Sequence, residues 1–256
     1  MTYEALESLR GGLIVSCQAY PGEPMRNPET MAQLAEAALL GGAVGIRAQG
    51  LEDISLIRGR VKLPLIGLWK DGNADVFITP TLRHALAVAR AGADIVALDG
   101  TRRDRPGGLK LAEIIKRIHG ETGVGVMADV GSLADGEAAA EAGADCVGTT
   151  LSGYTGERPS LVGPDLQLVA ELVSAVQLPV IAEGRIHTPK QAAAARSAGA
   201  FAVVVGTAIT HPTTITSWFA AALTAEGPRH PAVAATIHDA GHDRRQGVPT
   251  DGDIGR

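Results

Sequence analysis

Two charged side chains that directly follow aliphatic runs are the strongest candidates for chemistry in this sequence. Lys70 could act as a proton-transfer base if an enclosed site lowered its pKa, or it could form a Schiff base. A fixed cation that binds an anionic substrate is an equally good interpretation of Lys70. Glu183 could accept a proton or hold a sugar hydroxyl. An ion pair with Arg47 or Arg185 competes with both of these roles.

Other polar side chains stand at the same position after an aliphatic run, and they form a candidate binding set: Ser16, Cys17, Gln18, Arg47, Asp99, Asp129, Thr149 and Thr150. Asp99 opens an Asp-Gly-Thr-Arg-Arg loop, so it could simply cap a turn. The cationic run at residues 102–105 is typical of a solvated loop. A contact with an anionic group of the substrate is the alternative.

Glycines follow the last two aliphatic runs, in Glu183-Gly184-Arg185 and Gly206-Thr207-Ala208. A residue without a Cβ lets the main chain approach a ligand closely. Loops at this place in a barrel commonly hold a phosphate with main-chain N–H groups and the N-terminus of a short helix. The sequence therefore favours a phosphate site here, and two tight turns are the alternative.

The elements that position these residues are predicted by an internal repeat of a small-residue signal followed by an aliphatic strand. Its four copies cover residues 41–47, 91–99, 142–150 and 198–206. Their second-position glycines, Gly42, Gly92, Gly143 and Gly199, lie 50, 51 and 56 residues apart. Each gap fits two βα units, because a complete βαβ crossover uses about 30 residues. Glycine at the end of each helix would relieve the strain of a left-handed cap.

Four further strands are predicted between these copies, at residues 12–17, 63–68, 123–128 and 178–182. Eight helices are predicted at residues 29–40, 51–60, 81–90, 109–119, 133–141, 164–176, 189–197 and 213–223, and residues 2–10 form an extra helix that closes the barrel bottom. Eight alternating units favour an α/β fold with a closed (β/α)₈ TIM barrel over a doubly wound sheet. Catalytic groups of such barrels lie at the carboxyl ends of the strands.

Composition agrees with one barrel domain. The chain has 256 residues, of which 45% are hydrophobic but only 3% aromatic, so aliphatic side chains must fill the core. A net charge of −5 without a long basic run argues against nucleic acid or an anionic membrane as partner. No apolar run reaches the roughly 18 residues of a membrane span. Two cysteines in such a chain need no disulfide, and we expect a cytoplasmic protein.

The domain prediction is a barrel at residues 1–225 and a C-terminal extension at 226–256 that is partly disordered. His230, His238 and His242 in the extension could suggest a metal, but a solvated tail is the favoured interpretation. Elsewhere the histidines show no metal-ligand spacing, and a Ser-His-Asp arrangement is unsupported. They are His84, His119, His187 and His211.

Seven motifs together resemble the N-acetylmannosamine-6-phosphate 2-epimerase family, which belongs to bacterial sialic acid catabolism. The match runs in order from about residue 11 to residue 223. Its motifs are Gly12-Leu-Ile-Val-Ser-Cys-Gln18, Gly42-Ala-Val-Gly-Ile-Arg47, Ala97-Leu-Asp-Gly-Thr101, Met127-Ala-Asp129, Gly148-Thr-Thr-Leu-Ser-Gly-Tyr-Thr155, Val180-Ile-Ala-Glu-Gly-Arg185 and Val205-Gly-Thr-Ala-Ile-Thr210. Each motif is weak alone, and the combination is specific.

The resemblance implies inversion at C2 of a ring-opened amino-sugar phosphate, which interconverts N-acetylmannosamine 6-phosphate and N-acetylglucosamine 6-phosphate. The family's acid/base lysine falls on Lys70, and its glutamate on Glu183, which would position the sugar and support proton transfer or ring opening. The remaining assignments divide by the part of the substrate they would hold. The sugar would contact Gln18, Arg47, Asp129 and Thr150, and the phosphate Gly184, Arg185, Gly206 and Thr207.

No cofactor or metal is implied, because the substrate carbonyl is the electron sink, and barrels of this family tend to form homodimers. Two positions depart from the family. His211 stands where many members carry an arginine that contributes to the anion site, and the loop at residues 71–76 is short for a segment that covers the substrate. A Schiff-base aldolase or synthase using Lys70 is the alternative enzyme, and a non-catalytic sugar-phosphate-binding protein is the other alternative.

Overall fold

The computed structural model describes residues 2–224. Its strands are β1 Leu13–Cys17, β2 Gly45–Gln49, β3 Leu65–Leu68, β4 Ile95–Asp99, β5 Gly125–Asp129, β6 Cys146–Gly148, β7 Val180–Glu183 and β8 Ala202–Val205. Its helices are α1 Thr2–Glu7, α2 Pro28–Leu40, α3 Leu51–Arg60, α4 Leu82–Arg90, α5 Leu111–Thr122, α6 Leu133–Glu141, α7 Leu166–Ala175, α8 Pro189–Ser197, α9 Thr207–Thr210 and α10 Pro212–Thr224. A short 3-10 helix, Thr149–Leu151, follows β6.

The eight strands form a closed parallel barrel in the order β1 to β8, and β1 pairs with β8 to complete the ring. This confirms the predicted (β/α)₈ fold. Successive residues of a strand point to opposite faces. In β4, Ile95 and Ala97 join the cluster inside the barrel, while Val96 and Leu98 join the cluster beneath the helices. Both faces are therefore buried, which explains the continuous aliphatic runs.

The glycines of the sequence repeat adopt the backbone conformation that the repeat predicts. The φ angles of Gly42, Gly92, Gly143 and Gly199 are 91°, 111°, 92° and 100°. These lie in the region that only glycine enters at little cost. The repeat is therefore a set of helix ends, and each of them feeds a strand of the barrel.

The bottom of the barrel is closed by the chain that precedes β1. Leu6 and Leu9 are buried and join the cluster inside the barrel. A Cβ on Gly45 would lie 2.4 Å from Leu9 Cδ2, so the absent side chain leaves room for this leucine. The helix predicted at residues 2–10 ends earlier, at Glu7. A turn at residues 8–12 then connects it to β1.

Local capping explains where two predicted helices differ from the structure. The helix predicted at 164–176 begins at Leu166, because the Asp165 side chain accepts a hydrogen bond from Leu168 N and caps the first turn. The helix predicted at 109–119 extends to Thr122, and Gly123 ends it in the left-handed conformation.

The chain divides into two compact units, Met1–Thr216 and Ser217–Arg256. The first contains the whole barrel. Of the second, the structure describes residues 217–224, so the predicted extension at 226–256 and its histidines lie outside the described residues. Among the described helices, none has the length and apolarity that a bilayer crossing requires. Both cysteines are free and buried.

Candidate active site at the barrel mouth

Strand parity turns the candidate residues toward the barrel axis. Met127 belongs to the inner cluster, so Asp129, two residues later in β5, points inward at the mouth. Ile181 in β7 also belongs to the inner cluster, so Glu183, two residues later, points inward as well. Leu68 is the inner residue of β3 two positions before Lys70, so Lys70 also points toward the axis. The structure thus brings the predicted catalytic pair to the same end of the barrel.

Arg47 on β2 is the centre of a buried charge network. Its side chain is 1% exposed and donates two hydrogen bonds to the Asp129 carboxylate, at 3.1 Å from Nη1 and 2.6 Å from Nη2. Nη1 also lies 3.2 Å from Glu183 Oε2. The neighbouring carboxylates raise the pKa of Arg47 and outweigh the opposing effect of burial, so the guanidinium stays charged.

Glu183 lies across the barrel from Lys70, since β3 and β7 are four strands apart in a ring of eight. Burial raises the pKa of its carboxyl, and the positive charge of Arg47 opposes that shift. Its main chain is held by the Thr149 hydroxyl, which accepts from Glu183 N at 3.0 Å and donates to Glu183 O at 2.9 Å. The ion pair with Arg47 is therefore present, and a role toward a substrate is compatible with it.

Lys70 is the most exposed member of this group, and its ammonium lies within the mouth. Its Nζ donates to Gln18 Oε1 at 2.9 Å and lies 5.7 Å from the centre of the Tyr20 ring. The barrel wall around the ammonium limits its hydration, and with Arg47 nearby this lowers the pKa of Lys70 from 10.5 to about 8. A lysine with this pKa is partly neutral near physiological pH and can accept a proton.

Thr150 supplies the hydroxyl predicted for the site. Its Oγ1 donates to Asp129 Oδ1 at 2.6 Å, so Asp129 accepts from both Arg47 and Thr150. Gln18 is positioned in a similar way, because its Nε2 donates to Ser16 Oγ at 2.9 Å. These side chains hold one another in place through their hydrogen bonds.

The two glycine loops lie beside this group. Gly184 has a φ of 109° and Gly206 stands directly before α9. A Cβ on Gly206 would lie 3.2 Å from Ser16 Cβ, so a larger residue would crowd the mouth. Thr207 is the first residue of α9. Main-chain N–H groups at this helix start can face an anion.

The Arg185 guanidinium is occupied by main-chain carbonyl groups of the preceding loop. Its Nε donates to Gly163 O at 3.1 Å and its Nη1 donates to Ser152 O at 2.9 Å. The guanidinium also lies 5.4 Å from the centre of the Tyr154 ring. Arg185 has a φ of 54°, which is strained for a residue with a Cβ. The side chain thus holds two loops together.

Asp99 and the arginines after β4 are bonded to nearby groups of the protein. Asp99 accepts from the main-chain N–H and the hydroxyl of Thr101, and Arg103 Nη2 donates to it at 2.7 Å. Arg102 pairs with Asp135 and Glu157. The turn-capping interpretation of Asp99 is therefore confirmed. Within residues 2–224, no group of three or more acidic, histidine or cysteine side chains is arranged to hold a metal ion.

The place of Tyr20 in the mouth and its contact with His211 were not predicted from the sequence. Tyr20 stands between the Lys70 ammonium and His211, whose ring it meets edge-on at 5.0 Å. His211 is buried, its Nδ1 lies 3.6 Å from Glu23 Oε1, and burial lowers its pKa from 6.5. The sequence sign that His211 lies at the mouth was its position directly after the short α9. Tyr20 follows Gln18 by two residues, and its aromatic character was the only sign of it.

The loop after Lys70 forms a hairpin that returns to the barrel. Lys70 pairs with Ile78 in an antiparallel bridge. Ile78 O also accepts from Asp99 N at 3.0 Å, so the segment stands between the upper ends of β3 and β4. This arrangement gives Lys70 a fixed main-chain position.

Comparison with known proteins adds an independent finding. A family model described as "Putative N-acetylmannosamine-6-phosphate epimerase" matches residues 31–225. A relative from Cutibacterium acnes, named "Putative N-acetylmannosamine-6-phosphate 2-epimerase", is 62% identical over 87% of this chain and 98% of its own. A relative of the same name from Caldanaerobacter subterraneus is 49% identical over 86% of this chain and 94% of its own.

A solved structure points to the same family. It is the N-acetylmannosamine-6-phosphate 2-epimerase from Clostridium perfringens, which is 42% identical to this chain and superposes with a TM-score of 0.82. The match covers 85% of this chain and 95% of the other. The resemblance carried by the seven motifs is therefore confirmed along nearly the whole barrel. The chain belongs to the N-acetylmannosamine-6-phosphate epimerase family.

Proposed function

We propose that the chain interconverts N-acetylmannosamine 6-phosphate and N-acetylglucosamine 6-phosphate, in the catabolism of sialic acid. The observation that carries this proposal is a lysine with a pKa of about 8 beside a buried arginine–carboxylate network, at the mouth of a barrel from this family. Such a lysine can remove a proton that is α to a carbonyl. The C2 proton of the ring-opened sugar is of that kind.

Lys70 takes the C2 proton in this mechanism and leaves a planar enolate, whose negative charge Arg47 helps to stabilise. The open chain can then turn about its C2–C3 bond and present the other face to the same ammonium, which returns a proton. Glu183 is tied to Arg47 at 3.2 Å, and we assign it to orienting the sugar and supporting ring opening. Gln18 aims the Lys70 amine through their 2.9 Å hydrogen bond.

We assign the sugar and its N-acetyl group to Gln18, Arg47, Asp129 and Thr150, and the phosphate to the loops after β7 and β8. Gly184, Arg185, Gly206 and Thr207 would contribute main-chain N–H groups, since the Arg185 guanidinium already bonds two carbonyl groups. A phosphate here would fit the usual location in such barrels. Turnover of N-acetylmannosamine at the rate of its 6-phosphate would contradict this part of the proposal.

The test is incubation with N-acetylglucosamine 6-phosphate in heavy water, followed by NMR of C2. Solvent deuterium should enter C2 of both epimers, because the proton passes through an exchangeable ammonium. Epimers that form without deuterium would rule out the mechanism. Lys70→Ala should lose about 10²–10⁴ of the turnover, the usual contribution of a general acid/base. Near-normal turnover in that variant would show that another group moves the proton.

The same preparation separates this reaction from the two alternatives. A Schiff-base aldolase or synthase would be trapped covalently at Lys70 by borohydride in the presence of substrate, whereas the epimerase would not. A sugar-phosphate-binding protein would bind the substrate without turnover. The partial neutrality of Lys70 favours the enzyme, because a binding site gains more from a fully charged ammonium.

We also propose a homodimer in the cytoplasm. The sequence of α10, Pro-Thr-Thr-Ile-Thr-Ser-Trp-Phe-Ala-Ala-Ala-Leu-Thr, has no charged side chain, and helices of this composition are usually covered by protein. Light scattering coupled to size exclusion would give a dimer mass if the proposal is right, and a monomer mass at micromolar concentration would contradict it. Two free thiols fit a reducing compartment, and cell fractionation would test the location.

A further inference from the structure

His84, in the first turn of α4, contacts both chain neighbours of Lys70. Its ring is 4% exposed and meets the Trp69 ring edge-on, with centroids 4.5 Å apart and planes at 68°. Its Nε2 lies 2.9 Å from Asp71 Oδ2. Trp69 and Asp71 directly precede and follow Lys70. One buried side chain thus holds the segment on either side of the lysine.

Both ring nitrogens of His84 are used, which fixes the orientation of the ring. Nε2 lies 2.9 Å from Asp71 Oδ2 and 3.2 Å from Arg83 Nη2. A carboxylate can only accept, so we assign the ring hydrogen to Nε2, which then donates to Asp71 along the shorter contact. Nδ1 lies 2.7 Å from Thr81 Oγ1, whose hydroxyl can donate to it. Thr81 is the N-cap residue of α4, yet its side chain does not cap the helix. Its hydroxyl is engaged by His84 instead.

The other side of the Lys70 segment is held by Thr79. Thr79 N donates to Trp69 O at 2.8 Å, and Trp69 N donates to Thr79 Oγ1 at 3.0 Å. The same hydroxyl donates to Ala97 O on β4 at 2.7 Å. Thr79 has a φ of 46°, a strained value that surrounding contacts must maintain. His84 is the complementary contact on the α4 side.

We propose that His84 is a positioning residue for Lys70, which it keeps aimed at Gln18 and the mouth by holding Trp69 and Asp71. The inference rests on the proposed role of Lys70 in proton transfer. His84 itself touches no reacting atom. It acts by restricting where the Lys70 main chain can lie, and small displacements of a catalytic group from its productive geometry are costly.

The surroundings of Lys70 determine what a loss of positioning would do. The ammonium faces Arg47 from β2, Asp129 from β5 and Glu183 from β7, and Tyr20 and His211 are the titratable groups on its remaining sides. Limited hydration and Arg47 together hold the pKa near 8. A lysine displaced from this position would lie farther from Arg47, so its pKa would rise toward 10.5.

The main variant is His84→Leu, which keeps an apolar volume beside Trp69 and removes both hydrogen bonds. We expect kcat at pH 7 to fall about tenfold with KM within about twofold, because the lysine is displaced while the binding groups remain. The midpoint of the pH profile of kcat/KM should move up by about half a unit or more. His84→Gln keeps a donor for Asp71 and should recover most of both effects.

His119→Leu is the matched control. His119 Nε2 lies 2.8 Å from Asp145 Oδ2 at the opposite end of the barrel, so the variant loses the same kind of pair far from Lys70. It should leave the pH midpoint in place. Since His84 is buried and its replacement could unfold the chain, Asp71→Ala is the second variant. Asp71 is half exposed, and its loss removes the same anchor at little cost to folding.

Three results would overturn the inference. One is an unshifted pH midpoint with kcat within about twofold in folded His84→Leu or Asp71→Ala. Another is a loss of activity that disappears when rates are divided by the concentration of folded enzyme. The third is full activity in Lys70→Ala, which would remove the proposed role of Lys70 as well. If Lys70→Ala is inactive and His84→Leu is normal, the positioning role of His84 is wrong but the proposed role of Lys70 stands.

Discussion

The two ends of the barrel use charged side chains in different ways. At the lower end, where the strands begin, Asp94 and Asp145 play the same role in two copies of the repeat. Asp94 accepts from Leu65 N at 2.9 Å, and Asp145 accepts from Val126 N at 2.7 Å. The main-chain N–H of each aspartate donates back to the same neighbour, at 2.9 Å in both copies. Each aspartate therefore ties the preceding strand to its own.

The partners of these aspartates come from the preceding helices, Arg58 for Asp94 and His119 for Asp145, and all four side chains remain between 26% and 38% exposed. At the mouth, by contrast, Arg47 and its carboxylates are 0% to 13% exposed, and no other copy of the repeat carries an arginine paired with these two carboxylates. Repeated, partly solvated pairs build the scaffold. A single desolvated network forms the site, where each interaction is stronger and each loss more costly.

The largest difference is expected between Arg47→Met and Arg58→Met. Removal of Arg47 leaves buried carboxylates without a counter-charge, which should cost about 3–5 kcal/mol of unfolding free energy. Removal of Arg58 at the lower end should cost about 1 kcal/mol, because water compensates the charge of Asp94. Urea denaturation of both variants would measure the difference.

Activity should follow the same division. Folded Arg47→Met should lose most of its turnover, since the enolate charge is no longer stabilised, whereas Arg58→Met should retain it. If the two variants lose the same unfolding free energy, burial does not explain the difference between the charge pairs at the two ends. Retained turnover in Arg47→Met would remove it from the proposed mechanism.

The scaffold could be predicted from the sequence because it is local and repeated. The glycine ending each helix and the aliphatic run that follows are contiguous, and four copies at nearly equal spacing leave one plausible architecture. Some of the predicted bounds failed where a cap decided them, as at Asp165. Side-chain capping depends on one hydrogen bond, which periodicity does not report.

The site could be predicted only as a set of candidates. Position after a strand identified Arg47 and Asp129, yet their pairing joins residues 82 positions apart and depends on barrel closure. The guanidinium of Arg185 illustrates the limit, since its donors reach loop carbonyls that no motif indicates. The role of Lys70 required both a pKa shift from its surroundings and the family resemblance.

The pH dependence of activity should report the mouth and be insensitive to the lower end. Lys70 must be neutral to accept a proton, and its pKa is about 8. Below that value each pH unit should lower kcat/KM about tenfold, and above it kcat/KM should level off. The rate falls toward acidic pH because protonation of Lys70 removes the base. His211, with a pKa lowered from 6.5, would titrate on the acidic side of this midpoint.

Steady-state rates between pH 6 and 9.5 would test this in the wild type and in His119→Leu. The two profiles should share one midpoint. A decline above pH 8 in place of a plateau would mean that Lys70 and Glu183 share one proton and act on opposite faces of the sugar, contrary to the single-lysine mechanism. The substrate phosphate, with a second pKa of about 6, would affect only the acidic end of the profile.

The smallest effect is expected from the repeated aspartates themselves. Asp145→Asn keeps the shape of the side chain and weakens its bonds to Val126 N and His119, so it should cost about 1 kcal/mol of unfolding free energy. Asp94→Asn should cost a similar amount, and the double variant should show the sum within about 0.5 kcal/mol, because the two sites share no partner. Turnover should be unchanged in all three. A coupling energy well above that limit would show that the two aspartates depend on each other. A change in kcat would show that the lower end affects the mouth, and the scaffold and the site could then no longer be treated as separate.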